Sequence, residues 1–337
     1  MTLSRLIGRR LLLLPVSLLV LATLSFGLIE LMPGNPAVTV AGQFATPEEV
    51  TAIERQLGLD RPLPVRYGSY LAGAVRGDFG TSYYTGRPVL SELGRRLPAT
   101  IELVALALVV AALLGLTLGA VSAYFRRGLP DRLARGVVSV LQSVPDFVLA
   151  LALVYLLFYL ARAAPAPVGR VGLSAGTVPD ITGFLLLDSL LAGRPSLFAD
   201  ALSHLMLPVL ALGIVYAAFF AKVTRSTMVP ALNSSQVEFA RAAGLPEWRV
   251  IYYAFLAART PILTYGAILF GTLVGGAAIV ETIFSWQGAG QWALEAILKL
   301  DIPSIQGFVL AAGMITILLY LLLDVVVRLL DPRVRYE

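Results

Sequence analysis

Residues 98–124 read PATIELVALALVVAALLGLTLGAVSAY and run straight into Arg126-Arg127-Gly128-Leu129-Pro130. The run is almost free of charge and long enough to cross a hydrocarbon layer of about 30 Å, which takes about 20 mostly apolar residues per helix. Charge, glycine and proline then stop it together. Runs of the same kind lie at Leu11 to Leu31, about Val138 to Leu160, about Leu205 to Ala221, about Pro261 to Phe284, and Phe308 to Leu330. The expectation is an all-α polytopic membrane protein with six transmembrane helices. Composition agrees, because 58% of the 337 residues are hydrophobic and 14% charged, more apolar surface than one soluble core of this size uses.

The spans divide the chain. Residues 1–31 hold a cytoplasmic N-terminus and the first span; residues 32–97 form an extracytoplasmic cap loop; residues 98–337 form the core with spans two to six. The first span follows Arg5, Arg9 and Arg10, as the apolar part of a signal peptide does, but it exceeds the usual length of about 7 to 15 residues and leads into Met32-Pro33-Gly34-Asn35-Pro36. It is expected to stay in the mature protein. In the cap, Thr46-Pro47-Glu48-Glu49 offers an N-cap, a proline at N1 and early acids, so a short helix is expected from Thr46 to Leu57. Residues 161–201 are rich in proline, glycine and small residues, and their apolar island Phe184–Leu187 is too short to cross. Ser285 to Gln306, with Gly288, Gly290 and Pro303, reads as a loop folding back over a cavity.

Arginine and lysine in short loops mark the cytoplasmic side. They cluster before span one, between spans two and three (Arg126, Arg127, Arg132, Arg135), between spans four and five (Lys222, Arg225, Arg241, Arg249, Arg259), and after span six (Arg328, Arg333, Arg335). Both termini are therefore expected in the cytoplasm. The net charge of +5 reports orientation and not a nucleic-acid surface, since the basic residues lie between apolar runs.

Several chemistries are excluded. Without cysteine there is no disulfide, thiolate metal site or cysteine nucleophile. His204 is the only histidine, so no multi-histidine metal centre exists, and an interfacial role is expected of it. Lys222 and Lys299 are the only lysines and neither follows a phosphate-binding glycine loop. An ion-coupled secondary transporter needs buried ionisable groups or repeated broken helices, and the spans are nearly free of charge. A scaffold that transports nothing has no use for a long docking loop, and an intramembrane enzyme lacks a nucleophile, base and metal.

That loop, residues 222–260, is helical in pattern yet too polar to span. Ala240, Ala243 and Gly244 share a face at i, i+3 and i+4 where another backbone could approach closely. Glu238 and Arg241 flank it as an i, i+3 pair. Gly244-Leu245-Pro246 ends the first helix, and Pro246 opens a second through Arg249, giving a bent pair of short helices. A small-faced helix of this kind suits a groove on a partner protein.

Glu238-Phe239-Ala240, three residues and then Gly244 resemble the acid-Ala-Ala-x-x-x-Gly loop of the inner-membrane components of binding-protein-dependent ABC importers. Over almost its whole length the chain resembles the dipeptide/oligopeptide/nickel permease group. The pieces that carry this are Leu31-Met32-Pro33-Gly34-Asn35-Pro36, Gly77-Asp78-Phe79-Gly80-Thr81-Ser82, His204-Leu205-Met206-Leu207-Pro208, Thr224-Arg225-Ser226-Thr227-Met228, Glu281-Thr282-Ile283-Phe284-Ser285-Trp286 and Asp331-Pro332-Arg333-Val334-Arg335. Phe239 departs from the motif's alanine, Ala243 from a common lysine, and Thr260 from an apolar residue.

The resemblance implies a multi-pass protein of a bacterial or archaeal inner membrane. It would pair with a second homologous permease, cytoplasmic ATP-binding subunits and an extracytoplasmic solute-binding protein. ATP and Mg would belong to those partner subunits, and this chain would bind no cofactor. The coupling residues it implies are Glu238, Phe239, Ala240, Arg241, Ala242, Ala243, Gly244 and Leu245. Di- or oligopeptides are the expected solutes, with nickel or oligosaccharides as the alternative.

Two acids are candidates for the solute path. Asp146, in the cytoplasmic third of span three, stands where the resembling group usually has an uncharged residue; it lines a path or is an interfacial, paired acid. Glu281, at the outer end of span five, lines the path or anchors the neighbouring loop. Trp286 and Trp292 are expected at the outer interface. Gly271, Gly275 and Gly276 permit close packing, within the chain or against a second permease.

Overall fold

A computed structural model describes residues 3–42, 44–173, 175–178 and 180–330. The stretch Asp331 to Arg335, with its arginines, lies outside the described residues, as do the side chains of Arg5, Arg9 and Arg10. The helices are α1 (Leu3–Glu30), α2 (Pro36–Ala41), α3 (Pro47–Leu57), α4 (Leu63–Arg76), α5 (Val89–Tyr124), α6 (Leu129–Ser143), α7 (Asp146–Leu153), α8 (Leu185–Leu191), α9 (Pro195–Leu232), α10 (Ser235–Ala242), α11 (Glu247–Gly276), α12 (Ala278–Ile283), α13 (Ala289–Leu298) and α14 (Ile302–Leu330). Among the described residues there is no strand, only an isolated bridge between Thr81 and Pro88. The fold is all-α. By length and apolarity α1, α5, α9, α11 and α14 can each cross a membrane, and Leu129–Ser143 with Asp146–Leu160 makes up to six if the bent pair is one span.

That pair corrects the straight third span expected over Val138 to Leu160. The chain turns by 98° between α6 and α7. Pro145 has no N–H to donate and forces Val144 out of helical geometry, to φ −93° and ψ 120°. Beyond α7 the helix widens to π geometry from Val154 to Leu160.

The other spans run longer than their apolar cores. The helix α9 continues through Pro208 and Pro230, and α11 begins at Glu247 and carries Pro261 inside it. Proline is tolerated inside membrane helices because neighbours re-satisfy the freed carbonyl. Span five therefore ends at Gly276, not Phe284, and α12 follows as a separate short helix.

The centre of the bundle is the seam between α5 and α9, built on absent side chains. A Cβ on Gly115 would lie 2.3 Å from that of Phe220 and 2.6 Å from the Ala217 carbonyl oxygen, and one on Gly119 would lie 2.5 Å from the Cβ of Thr224. The two helices approach this closely because nothing stands between them. Of the glycines flagged in the sequence, Gly271 packs internally against Thr316, and Gly275 faces open space.

At one end of the bundle, the cap is pinned to the spans. Thr46 and Glu49 form a reciprocal capping box at the start of α3, which stops at Gly58 in the left-handed conformation. Tyr67 and Tyr70 of α4 pack on Phe26 of α1 and reach the hydroxyls of Thr23 and Ser25. Arg66 pairs with Glu30 at 2.6 Å. Trp286 and Trp292 do not mark an interface: both are buried, Trp286 completely, with its indole N–H donating to the Ala99 carbonyl at 3.0 Å.

Candidate functional site

The elbow between α9 and α11 forms at the opposite end. It closes as a Schellman turn: Gly244 adopts φ 73°, its N–H donates to the Arg241 carbonyl at 2.9 Å, and the Leu245 N–H donates to the Ala240 carbonyl at 3.2 Å. The bend is thus fixed by a glycine whose left-handed conformation other residues resist. The second arm is no short helix but the first turn of α11, so the elbow leads directly into a span.

The exposed face differs from the one expected. Val237 and Ala240 turn inward and pack in one cluster with Val250 and Ala254 of α11. Phe239, Ala242 and Ala243, also related by i, i+3 and i+4, face outward with Glu238, Arg241 and Gly244, and Leu245 is half-buried. Phe239 is 76% exposed and Trp248 64%. The face therefore carries aromatics over alanines, not a bare small surface. Arg241 pairs across the bend with Glu247 at 3.5 Å instead of with Glu238. The same Glu247 accepts a hydrogen bond from the Tyr124 hydroxyl at 3.3 Å, which ties the end of α5 to the elbow.

Behind the elbow lies a group that the sequence reading missed. Asp131, in the first turn of α6, is buried, and Arg225 of α9 donates to it from Nε at 2.8 Å and Nη2 at 3.0 Å. Ser122 donates its hydroxyl at 2.6 Å and Arg127 its backbone N–H at 2.9 Å. A bidentate, multiply hydrogen-bonded carboxylate of this kind holds its geometry. It joins α5, the following turn, α6 and α9. The available signal was an acid amid Arg126, Arg127, Arg132 and Arg135, residues that were read for orientation alone.

The two path candidates lie in different surroundings. Glu281 is fully enclosed in α12. Thr100 donates to it at 2.5 Å and the Gln291 N–H at 2.7 Å, while Thr100 also accepts from the Ala289 N–H at 2.8 Å. Burial pushes the Glu281 carboxyl upward from its ordinary pKa, against the lowering effect of these hydrogen bonds. Asp146 is the first residue of α7 and borders a cavity of about 440 Å³ between the break, α9 and α11. The structure does not bring the two acids together. His204 is buried, with Nδ1 2.9 Å from the Asp200 carbonyl oxygen.

Comparison with known proteins fits this architecture. Residues 115–336 match the family described as "Binding-protein-dependent transport system inner membrane component", and residues 3–104 match its N-terminal companion, "Binding-prot-dependent transport system membrane comp, N-term". The dipeptide transport system permease protein DppB of Alkalihalophilus pseudofirmus is 36% identical over 97% of this chain and 98% of its own length. DppB of Escherichia coli K12 is 34% identical over 93% and 94%. The di/tripeptide permease protein DppB of Pseudomonas aeruginosa is 36% identical over 98% of both. A crystal structure of an amino acid ABC transporter aligns with a TM-score of 0.45 at 18% identity, over 72% of this chain and 94% of that one, too loosely to place residues. The matches cover the spans, the elbow and the cap alike, and the chain belongs to the family of inner-membrane permeases of binding-protein-dependent transport systems.

Proposed function

We propose that the chain is one of two permease subunits of an ATP-driven importer of di- or oligopeptides. Its elbow faces the cytoplasm and docks on an ATP-hydrolysing subunit. In this reading the core is residues 98–337, residues 32–97 cap it outside, both termini are cytoplasmic, and a solute-binding protein delivers to the cap side. The permease itself makes and breaks no covalent bond; ATP and Mg are bound by the partners. The peptide assignment draws on relatives that are dipeptide and di/tripeptide transport permeases, 98% of whose length this chain covers.

One observation carries the coupling role: an exposed Phe239–Ala242–Ala243 face on a short helix whose other face is locked to α11. Among the eight residues assigned to coupling, Val237's neighbour Ala240 and the half-buried Leu245 hold the elbow to the bundle. Glu238, Phe239, Arg241, Ala242, Ala243 and Gly244 meet the partner. Such a helix transmits force only if the ATP-bound and ATP-free partners hold it differently, so that coupling equals a difference in binding free energy. Glu281 acts in this scheme as an anchor for the turn at Gly288, with no part in solute contact.

The chain has no cysteine, so Ala242→Cys introduces one thiol on the docking face. In the reconstituted complex it should cross-link to the ATP-binding subunit through a short bismaleimide, with a yield that changes between ATP-bound and ATP-free states. A yield no higher than that of Thr51→Cys, on the exposed face of the cap, rejects the assignment.

A further inference from the structure

The break between α6 and α7 leaves non-helical backbone at Val144 and Pro145, facing residues at mid-length of α9 and α11. At such depth, irregular backbone and ionisable side chains are tolerated where they are enclosed in protein or line a water-filled space. Here they border a space. Gln142, Ser143 and Asp146 from the break, Tyr216 of α9, and Tyr265 and Thr272 of α11 line the cavity of about 440 Å³. That lies within the range of about 300–1,000 Å³ typical of small-molecule sites.

The charge of this cavity is one-sided. Glu92, Glu102 and Asp131 each have an arginine partner, at 2.9, 2.8 and 2.8 Å. Asp146 accepts the Phe147 N–H on Oδ1 at 2.8 Å, and among the described residues no cation pairs with it. No arginine, lysine or histidine lines the cavity. One carboxylate oxygen is left for a guest, in a cavity whose lining also includes Tyr216, Phe219 and Tyr265 and the polar side chains of Gln142, Ser143 and Thr272.

That set is the complement of a compact organic cation. A primary ammonium offers three donors and is drawn to aromatic faces as well as to carboxylate. A divalent metal ion is a poorer fit, since it takes several oxygen ligands and one carboxylate supplies too few. We propose that this cavity receives the ammonium end of the solute during passage, with Asp146 as its counter-ion and the Tyr216 and Tyr265 rings as walls. The identity of the solute rests on the peptide-importer reading above; the preference for cations is a property of this chain alone.

This chain has no cysteine, so an introduced thiol is its only one, and the labelled chain is read after separation from its partners. Ser143→Cys places a single thiol in the cavity, and Thr272→Cys repeats the measurement from the facing helix. In the reconstituted complex, each is reacted with two methanethiosulfonates of similar size, one bearing a quaternary ammonium and one a sulfonate. Free cysteine calibrates the two reagents. The cationic reagent should be favoured on the order of tenfold over that calibration, and Asp146→Asn should remove most of the preference. A dipeptide amide with a free amino end should slow the cationic reagent, and its N-acetyl counterpart should not. A reagent ratio unaffected by Asp146→Asn, equal protection by the acetylated peptide, or failure of both reagents to react in every nucleotide state overturns the proposal. If the complex moves no peptide yet the ratio still depends on Asp146, the peptide reading falls and the cation site stands.

Discussion

The two ends of the bundle are held by different means. At the cap end the bonds are many and separate. Glu281 grips Thr100 and the Gln291 N–H, Trp286 donates to Ala99, Glu102 takes Arg170 and the Leu186 N–H, and Asp301 takes Ser82 and Tyr83. At the elbow end a buried node, Asp131 with Arg225, joins α5, α6 and α9, an apolar cluster of Val237, Ala240, Val250 and Ala254 holds α10 on α11, and beyond them the surface opens into Phe239 and Trp248. The cap end is cross-braced by buried polar bonds between segments far apart in the chain, whereas the elbow end relies more on apolar packing, which is less specific in direction.

The largest effect is expected at that node. Arg225→Ala leaves the Asp131 carboxylate buried with only Ser122 and the Arg127 N–H as close partners, because Arg135, at 3.4 Å, has a side chain 56% exposed. Breaking a buried pair from one side costs about 3–5 kcal/mol. Thermal unfolding of the solubilised complex should show a loss of that size, and adding Asp131→Asn should recover part of it. A loss below about 1 kcal/mol would mean that the elbow end does not depend on this node.

A smaller and more local effect is expected at the cap end. A side chain on Gly288 would put its Cβ 2.4 Å from Glu281 Oε1, although the backbone there, at φ −77°, accepts any residue. Gly288→Val should therefore cost about 1–3 kcal/mol through overpacking. With the neighbouring bonds intact, faster amide exchange should be confined to residues 284–298. Faster exchange that reaches α10 would erase the contrast between the two ends.

How much of this was legible in the sequence depended on what each residue competes with. The spans and the helix start at Thr46 were readable because length, apolarity and cap chemistry act locally. The break at Pro145 was hidden because apolar residues continue on both sides of it, and hydropathy does not register a missing N–H. Trp286 was misplaced because an indole satisfied at a lipid interface and one satisfied by a buried carbonyl look alike in sequence. The Ala240 face was misjudged for a related reason. Small residues let a backbone approach, but only the position of α11 decides that the approaching backbone belongs to this chain. Gly115 and Gly119 were passed over inside an apolar run, where their use appears only once Phe220 and Thr224 lie against them. Asp131 was invisible while its arginines were counted by sign and not by partner.

The smallest expected effect on stability is at Phe239, and it separates the two ends most sharply. With 76% of its surface exposed, this ring contributes little to holding the elbow together. Phe239→Ala should change the melting of the permease, solubilised without its ATP-binding partner, by no more than about 0.5 kcal/mol, as surface substitutions generally do. Exposed aromatic anchors can nevertheless be worth about 2 kcal/mol or more when a partner covers them. Solute-stimulated ATP hydrolysis by the full complex should therefore fall about tenfold or more in a protein that is otherwise as stable as before. Val237→Ala, on the buried face of the same helix, should do the reverse and lower stability by cavity formation. If Phe239→Ala destabilises the partner-free permease as much as Val237→Ala while ATP hydrolysis by the full complex stays normal, the ring belongs to the fold, and the elbow end is no more open to a partner than the cap end.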